Sequence, residues 1–401
     1  MSTLLAKAMN LQDELSKWRR HLHQYPELGF EEFNTSDFIK ERLKEFGITE
    51  ITKMVGTGLM VFLRGKRPGP TVMLRADIDA LPIQDEKTVE YASKINNVAH
   101  LCGHDAHTAM MLGAVKILKD MEIETGNIQV IFQPAEEGLS GAKKMIEEDV
   151  LNIHGVDAAA ALHVQPTLPT GEISVCPNSS TANSDRFVIK VIGKGGHAAH
   201  PHVTVDSVAV AAELISSIQH IVSRKINPLE NAVISIGKIS GGSARNVIAP
   251  SVSLVGTVRT FKKEVQVNVK EEMERIISGI CQAFGADYQF DYERGYPSVD
   301  NDEAMITIFK STAANILGED KLSVVPPSMG GEDFSYYTKK VPSLFFRLGV
   351  RPKNKETMYS HHHPLFDIDE TAMPYGTALL SQFALDFLHH KKVLKETVSS
   401  K

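Results

Sequence analysis

The sequence is poor in cysteine, in excess positive charge and in long apolar runs. Three cysteines in 401 residues (Cys102, Cys176 and Cys281) are too few for a disulfide framework, which favours a reducing, cytoplasmic environment. The sequence has 43 lysine and arginine residues against 49 acidic residues, which gives a net charge of −6. Because it also lacks basic runs, we expect no nucleic-acid partner. No apolar stretch approaches the roughly 18–20 residues that span a bilayer. The N-terminus lacks the features of a signal peptide, and we expect no membrane partner.

Predicted strands and helices alternate along most of the chain. Segments 71–75, 127–133 and 157–162 are short and apolar and are predicted strands, with helical periodicity between them. This alternation predicts an α/β fold with a mostly parallel sheet and helices on both faces. Between residues 183 and 294 the order becomes β-α-β-β-α-β, which is typical of a ferredoxin-like α+β unit. We therefore predict a main domain of residues 1–182 and 295–401 and an inserted domain of residues 183–294.

The densest group of chemically active side chains is Cys102-Gly-His104-Asp105-Ala-His107. Thiolate and imidazole are strong ligands for transition metals. A helix is predicted from Ala106 to Lys119, with Asp105 at its N-cap, and the helix dipole would lower the pKa of the Cys102 thiol. The alternative is a buried cysteine beside ordinary helix-capping residues.

Further candidates lie at the carboxyl ends of predicted strands, where ligands bind in such sheets. The pair Glu136–Glu137 directly follows a buried strand and a proline, and adjacent side chains diverge, so that one can bind a metal while the other acts as a base. The alternative is a solvated acidic turn. His163 ends another apolar strand, where a hydrogen-bonded core histidine is the alternative. Three consecutive histidines, 361–363, cannot all bind one site.

These groups are more than a closed four-ligand structural site needs. They suit two metal ions about 3.5–4 Å apart, which activate water and polarise a carbonyl. The expected reaction is hydrolysis of an amide or peptide.

As a set, the motifs resemble those of the aminoacylase/carboxypeptidase metallohydrolases, metallopeptidase family M20, over nearly the whole chain. The closest resemblance is to subfamily D, which includes bacterial N-acyl-amino-acid and hippurate hydrolases and plant auxin-conjugate hydrolases. The motifs that carry it are Arg75-Ala-Asp-Ile-Asp-Ala-Leu-Pro82, Cys102-Gly-His-Asp-Ala-His107, Gln133-Pro-Ala-Glu-Glu-Gly138, Ala161-Leu-His163, Gly195-Gly-His-Ala198, Gly331-Glu-Asp-Phe334 and His362-His-Pro-Leu-Phe-Asp367. In the wider family a His-x-Asp ligand site is usual, and this chain has Asp77-Ile-Asp79 there instead.

The resemblance implies a role for each matching residue. The implied metal ligands are Cys102, as the bridging ligand, with His104, Glu137, His163 and His362. It implies Glu136 as the general base, and Asp79 and Asp105 as residues that orient ligands. In the inserted domain, it implies that His197 reaches the active site of a partner subunit and stabilises the oxyanion. Asn246 and Arg259 match positions that hold the substrate carboxylate, although Arg259 could equally be an ordinary charge at a strand end.

The resemblance also implies a di-metal catalytic domain like that of aminopeptidases and an inserted domain that serves as lid and dimerisation domain. We predict a metal-dependent enzyme that removes the acyl group from N-acyl-L-amino acids. Mn²⁺, Zn²⁺, Co²⁺ and Ni²⁺ all suit the ligand set. We expect a small-molecule substrate and a homo-oligomer, either a dimer or a tetramer. The alternatives are a dipeptidase or carboxypeptidase on the same metal centre, and a metal-dependent binding protein without turnover.

Overall fold

The computed structural model describes residues 3–354 and 358–399. Its α-helices are α1 Thr3–Met9, α2 Gln12–Gln24, α3 Phe33–Glu45, α4 His104–Lys119, α5 Gly141–Glu147, α6 Ser207–Arg224, α7 Lys263–Phe284, α8 Glu303–Leu317, α9 Ser335–Thr338 and α10 Met373–Ser399. Short 3₁₀ helices cover Pro201–Val203, Glu319–Lys321 and Glu370–Ala372. No helix in the described part of the chain is long and apolar enough to cross a membrane.

The strands are β1 Ile51–Met54, β2 Gly58–Arg64, β3 Arg67–Asp77, β4 Thr125–Gln133, β5 Val156–Pro169, β6 Ile173–Val175, β7 Asn178–Ser179, β8 Asn183–Ile192, β9 Gly196–His197, β10 Ala232–Gly241, β11 Val247–Ile248, β12 Ser251–Thr260, β13 Asp287–Tyr296, β14 Asp300–Asn301, β15 Leu322–Val324 and β16 Ser343–Arg351. The chain divides into two compact units. The first comprises residues 1–180, 299–326 and 333–401, and the second comprises residues 181–298 and 327–332. The assignment of catalytic and lid roles to the predicted domains stays a prediction.

The first unit is built on an eight-stranded sheet in the order β1-β2-β4-β3-β5-β16-β6-β15. Its centre, β4-β3-β5-β16, is parallel, and antiparallel pairs lie toward both edges. Alternate residues of β3 face opposite sides of the sheet. Val72 and Leu74 join the core under the helices α1–α4, α8 and α10, whereas Met73 joins the core under α5 and α9. The predicted α/β fold with helices on both faces is confirmed.

The second unit contains a four-stranded antiparallel sheet in the order β10-β12-β8-β13, and its helices are α6 and α7. Apolar residues of both helices pack with inward-facing strand residues such as Phe187 and Leu254 in one core. The chain order β8-α6-β10-β12-α7-β13 and this strand order are those of the predicted ferredoxin-like fold.

Candidate metal centre

The candidate site lies where parallel strands of the first unit end. Asp77, the last residue of β3, pairs with Gln133, the last residue of β4. Arg75 of β3 pairs with Ala161 of β5, which places His163 at the level of Asp77. The expectation that this strand ends at His163 is wrong, because β5 continues to Pro169 and pairs with β16.

Cys102 lies two residues before α4, and its Sγ is 3.5 Å from Nε2 of His163. Nδ1 of His163 lies 2.8 Å from the carbonyl oxygen of Val164. A carbonyl oxygen can only accept, so Nδ1 carries the proton and the Nε2 lone pair faces the thiol. Burial, and then the neighbouring His107 and His361, lower the pKa of His163 well below its usual range, which keeps the ring neutral.

Two expectations about the start of α4 are wrong. The helix begins at His104, and its N-cap is Gly103 with φ of +96°, whereas Asp105 lies in the first turn. In addition, burial and the carboxylates of Glu137 and Glu136 raise the pKa of the Cys102 thiol well above its usual range. Burial and the local carboxylates both favour the neutral thiol, so thiolate formation here requires a compensating cation.

His104 points a free ring nitrogen into the same space. Its Nδ1 lies 2.9 Å from the carbonyl oxygen of Asp79 and 3.2 Å from Oδ1 of that residue. Nε2 of His104 and Oε1 of Glu137 are buried, lie 3.9 Å apart, and have no hydrogen-bond partner among the described residues. Burial lowers the pKa of His104, but Asp77, Asp79 and Glu137 together raise it to about 10. The surplus of carboxylate charge fits a site for cations.

Glu137 is held between Asp79 and His362. Its N–H donates to Oδ2 of Asp79 at 2.9 Å, and its Oε1 lies 3.3 Å from Nε2 of His362. The backbone N–H of His362 donates to the carbonyl oxygen of Leu101, which ties this segment to the loop before α4. Asp79 thus contacts both His104 and Glu137, in agreement with an orienting role.

Glu136 is buried beside Glu137, and its Oε1 accepts from the backbone N–H of Asp333 at 3.3 Å. Ala135, directly before it, is buried and has a φ of +55°. A non-glycine residue in the left-handed region is strained and often marks a functional turn. After this turn, carboxylate oxygens of Glu136 and Glu137 lie within 4.8 Å of each other and of a ring nitrogen of His104, so the two side chains converge on the site and do not diverge as the sequence predicts.

The predicted ligands form two overlapping sets in which ligand atoms lie within 4.8 Å of one another. One set is Cys102, His104 and His163, and the other is Cys102, Glu137 and His362. The thiol belongs to both. All five residues are therefore gathered, and the two sets have the composition of two metal positions that share one ligand.

Asp105 contacts residues outside these sets. Its Oδ2 accepts from Nε of Arg19 at 2.8 Å and lies 2.7 Å from Nδ1 of His23. The Arg19 guanidinium continues this buried network to Asp367 and Glu370. Asp105 therefore ties α4 to α2, and none of the predicted ligands is among these partners.

The residues predicted in the second unit do not lie together. His197 in β9 pairs with Val247, the neighbour of Asn246, next to the end of β8 at Ile192. Arg259 pairs with Ser184 at the opposite end of β8. The eight residue steps from Ser184 to Ile192 span about 26 Å at about 3.3 Å per residue. His197 and Arg259 thus occupy opposite ends of this unit.

Sequence reasoning missed part of the buried support of the site. Arg75 donates from Nη1 to Oδ2 of Asp77 at 2.6 Å and from Nη2 to Oδ1 of Asp333 at 2.9 Å. Oδ1 of Asp77 lies 2.6 Å from Nδ1 of His107. The resemblance selected His362, and not His361, as a metal ligand. His361 nevertheless supports the site, because its Nε2 lies 3.0 Å from the carbonyl oxygen of Val164. The signal for Arg75 and Asp77 was a charged pair inside an apolar strand.

Comparison with known proteins identifies the family. The model of peptidase family M20/M25/M40 matches residues 73–386. The chain belongs to this family. The resemblance inferred from the motifs is thus confirmed, as is the prediction of a hydrolase.

Among its relatives, the N-acetyl-L-cysteine deacetylase of Bacillus subtilis is 42% identical over 93% of this chain and 88% of that protein. The N-acyl-L-amino acid amidohydrolase of Geobacillus stearothermophilus is 45% identical over 71% of this chain and 78% of that protein. The crystal structure of the Bacillus subtilis YXEP protein, described as a dinuclear metal binding peptidase from the M20 family, superposes with a TM-score of 0.83. It is 36% identical and covers 95% of this chain and 99% of that one.

Proposed function

We propose that this M20/M25/M40 member removes the acyl group from N-acyl-L-amino acids with two divalent metal ions per chain. The observation that carries the proposal is the pair of ligand sets that share Cys102, beside the additional carboxylate of Glu136. The names of the deacetylase and amidohydrolase relatives support the substrate class. Three free cysteines support a reducing, cytoplasmic environment.

In this proposal Cys102, His104 and His163 hold one metal, and Cys102, Glu137 and His362 hold the other. Nε2 of His104 is buried and makes no hydrogen bond among the described residues, which fits this assignment because buried polar atoms are otherwise hydrogen-bonded. Oε1 of Glu137 also makes no hydrogen bond and lies 3.3 Å from Nε2 of His362, a ligand of the same proposed set. Mn²⁺, Zn²⁺, Co²⁺ and Ni²⁺ each accept sulfur, nitrogen and oxygen ligands. When bound, such ions activate water as a nucleophile and polarise the acyl carbonyl.

Glu136 acts as the general base: it takes a proton from the attacking water and then passes it to the leaving amine. The backbone N–H of Asp333 holds one of its oxygens in place. Asp79 orients His104 and Glu137 through the contacts described above.

His197, Asn246 and Arg259 complete the site from the second unit. His197 stabilises the negative charge that develops on the acyl oxygen, and Arg259 and Asn246 hold the substrate carboxylate, for which a guanidinium offers two parallel hydrogen bonds. Because His197 and Arg259 lie at opposite ends of their unit, one copy cannot direct both at one small substrate. We therefore propose a homodimer in which a second copy supplies His197.

A deacylation screen tests the proposal. After chelation, the enzyme is reloaded with each of the four metals and assayed on N-acetyl and N-benzoyl amino acids and on matched dipeptides. We expect metal-dependent hydrolysis with a higher kcat/KM for the acylated amino acids. Faster cleavage of dipeptides would assign the chain to the peptidases instead, and stoichiometric metal binding without turnover of either class would make it a binding protein.

A further inference from the structure

The backbone of Val164 connects three buried histidines. Its N–H donates to Nε2 of His107 at 2.9 Å. Its carbonyl oxygen lies 2.8 Å from Nδ1 of His163 and 3.0 Å from Nε2 of His361. An N–H can only donate and a carbonyl oxygen can only accept, so these contacts define which nitrogens carry protons. His107 accepts at Nε2, and His163 donates from Nδ1.

His107 is fixed from its other side by buried charge. Its Nδ1 lies 2.6 Å from Oδ1 of Asp77, whose second oxygen accepts from Arg75. All three side chains are almost fully buried. With its proton held on Nδ1 by Asp77, the His107 ring presents its lone pair to the N–H of Val164.

Val164 also touches the loop that carries the other two ligands of this set. A Cβ placed on Gly103 would lie only 2.3 Å from Cγ2 of Val164, so the valine packs directly against the glycine between Cys102 and His104. The position of Val164 therefore determines how close the ring of His163 comes to the Cys102 thiol.

We propose that His107 is a positioning residue that holds Val164 and thereby fixes the Nδ1–H tautomer and the place of His163 beside Cys102. The part of this inference that concerns metal affinity rests on the proposed function. It assigns His107 to the position formed by Cys102, His104 and His163, and not to the one formed by Cys102, Glu137 and His362.

Two substitutions separate the two hydrogen bonds of His107. In His107→Asn the amide nitrogen can donate to Asp77 from the place of Nδ1, but the side chain is too short to accept from Val164. In His107→Gln the amide oxygen can take the place of Nε2 and accept from the N–H of Val164. The matched control is Thr312→Val, which removes a partly buried hydrogen bond to Asp386 between α8 and α10.

Two readouts are measured on each full-length variant. Amide hydrogen exchange at Val164 reports the backbone directly and needs no metal. Equilibrium dialysis with Co²⁺ reports the affinity of each metal position. We expect His107→Asn to speed amide exchange at Val164. We also expect it to lower the affinity of one of the two metal positions for Co²⁺ by 10- to 100-fold. His107→Gln should restore most of both properties, and Thr312→Val should leave both unchanged.

Several outcomes would overturn the inference. The inference fails if His107→Asn exchanges the Val164 amide at the wild-type rate and binds both Co²⁺ ions with wild-type affinity. Equal damage by the asparagine and glutamine variants would overturn it as well, because only the asparagine loses the acceptor for Val164. If the wild type binds fewer than two Co²⁺ ions per chain, the proposed function fails, whereas exchange at Val164 still decides whether His107 holds this backbone.

Discussion

Nε2 of His104 and Oε1 of Glu137 face each other across 3.9 Å, and neither makes a hydrogen bond among the described residues, although Oε1 of Glu137 lies 3.3 Å from Nε2 of His362. An ordinary protein interior pairs such buried groups. Here the surrounding carboxylates of Asp77 and Asp79 make the position more negative. The arrangement is that of a cation site, and it underlies the predictions that follow.

Replacing Cys102 should affect both metal positions at once, because its thiol belongs to both ligand sets. We expect Cys102→Ser to lower the affinity of both metal positions. It should also abolish the sulfur-to-metal charge-transfer absorption of the Co²⁺-loaded enzyme. Cys176→Ser is the matched control, since Cys176 is also buried and free. Two tightly bound Co²⁺ ions with an unchanged spectrum in Cys102→Ser would exclude a ligand role for the thiol.

Gly103 is predicted to be intolerant of any side chain for two reasons that can be separated. Gly103 and Gly56 both have positive φ, but only at Gly103 would a Cβ meet a neighbour, the stiff side chain of Val164. Gly56→Ala should cost about 1–2 kcal/mol of unfolding free energy from backbone strain alone. Gly103→Ala should cost more and also weaken metal binding. Urea unfolding and metal analysis of the pair measure both effects, and equal costs with intact metal binding would refute the close-packing argument.

Glu32 should make stability depend on pH. Burial, partly offset by the hydrogen bond from Thr57, raises the pKa of Glu32 to about 7. A carboxyl whose pKa is higher in the folded state stabilises the fold most below its unfolded pKa, near 4.5. That stability is lost as the pH rises through 7.

Between pH 4.5 and 8, the wild type should therefore lose about 3 kcal/mol relative to Glu32→Gln. The glutamine can still accept from Ala135 and can donate to Thr57. Urea unfolding at several pH values gives the difference, with the exposed Glu31→Gln as control. Parallel pH profiles of the wild type and Glu32→Gln would show that Glu32 titrates normally.

The sequence was sufficient for the fold class and for bringing together the five predicted ligands. The fold class depends on a strong, local signal, apolar strands that alternate with helices, whereas the choice of the five ligands, His362 among them, was implied by the resemblance of the motifs to a known family. It was insufficient where the outcome depends on competing long-range charges. The pKa of Cys102 moves upward because the thiol is buried and because Glu137 and Glu136 approach it from the loop after β4, which the helix position alone does not reveal. In the same way, the partners of Asp105 come from α2, 82 and 86 residues away.

Complementation tests whether His197 acts in the second copy. Glu136→Ala and His197→Ala homodimers should both be nearly inactive. When the two variants are unfolded and refolded together, half of the dimers are hybrids with one intact site, so about a quarter of wild-type activity should return. Each variant refolded alone is the control. If no activity returns although hybrid dimers form, His197 acts on its own copy, and a fully active His197→Ala homodimer would show that His197 has no role.

The most direct test of the central claim is the kcat of Glu136→Gln for an N-acyl amino acid, with metal content measured on the same samples. We predict that kcat falls by about 10²- to 10⁴-fold, the usual contribution of a general base, while two metal ions per chain remain. Glu137→Gln should instead lose metal. An unchanged kcat in Glu136→Gln with both metals bound would contradict the account.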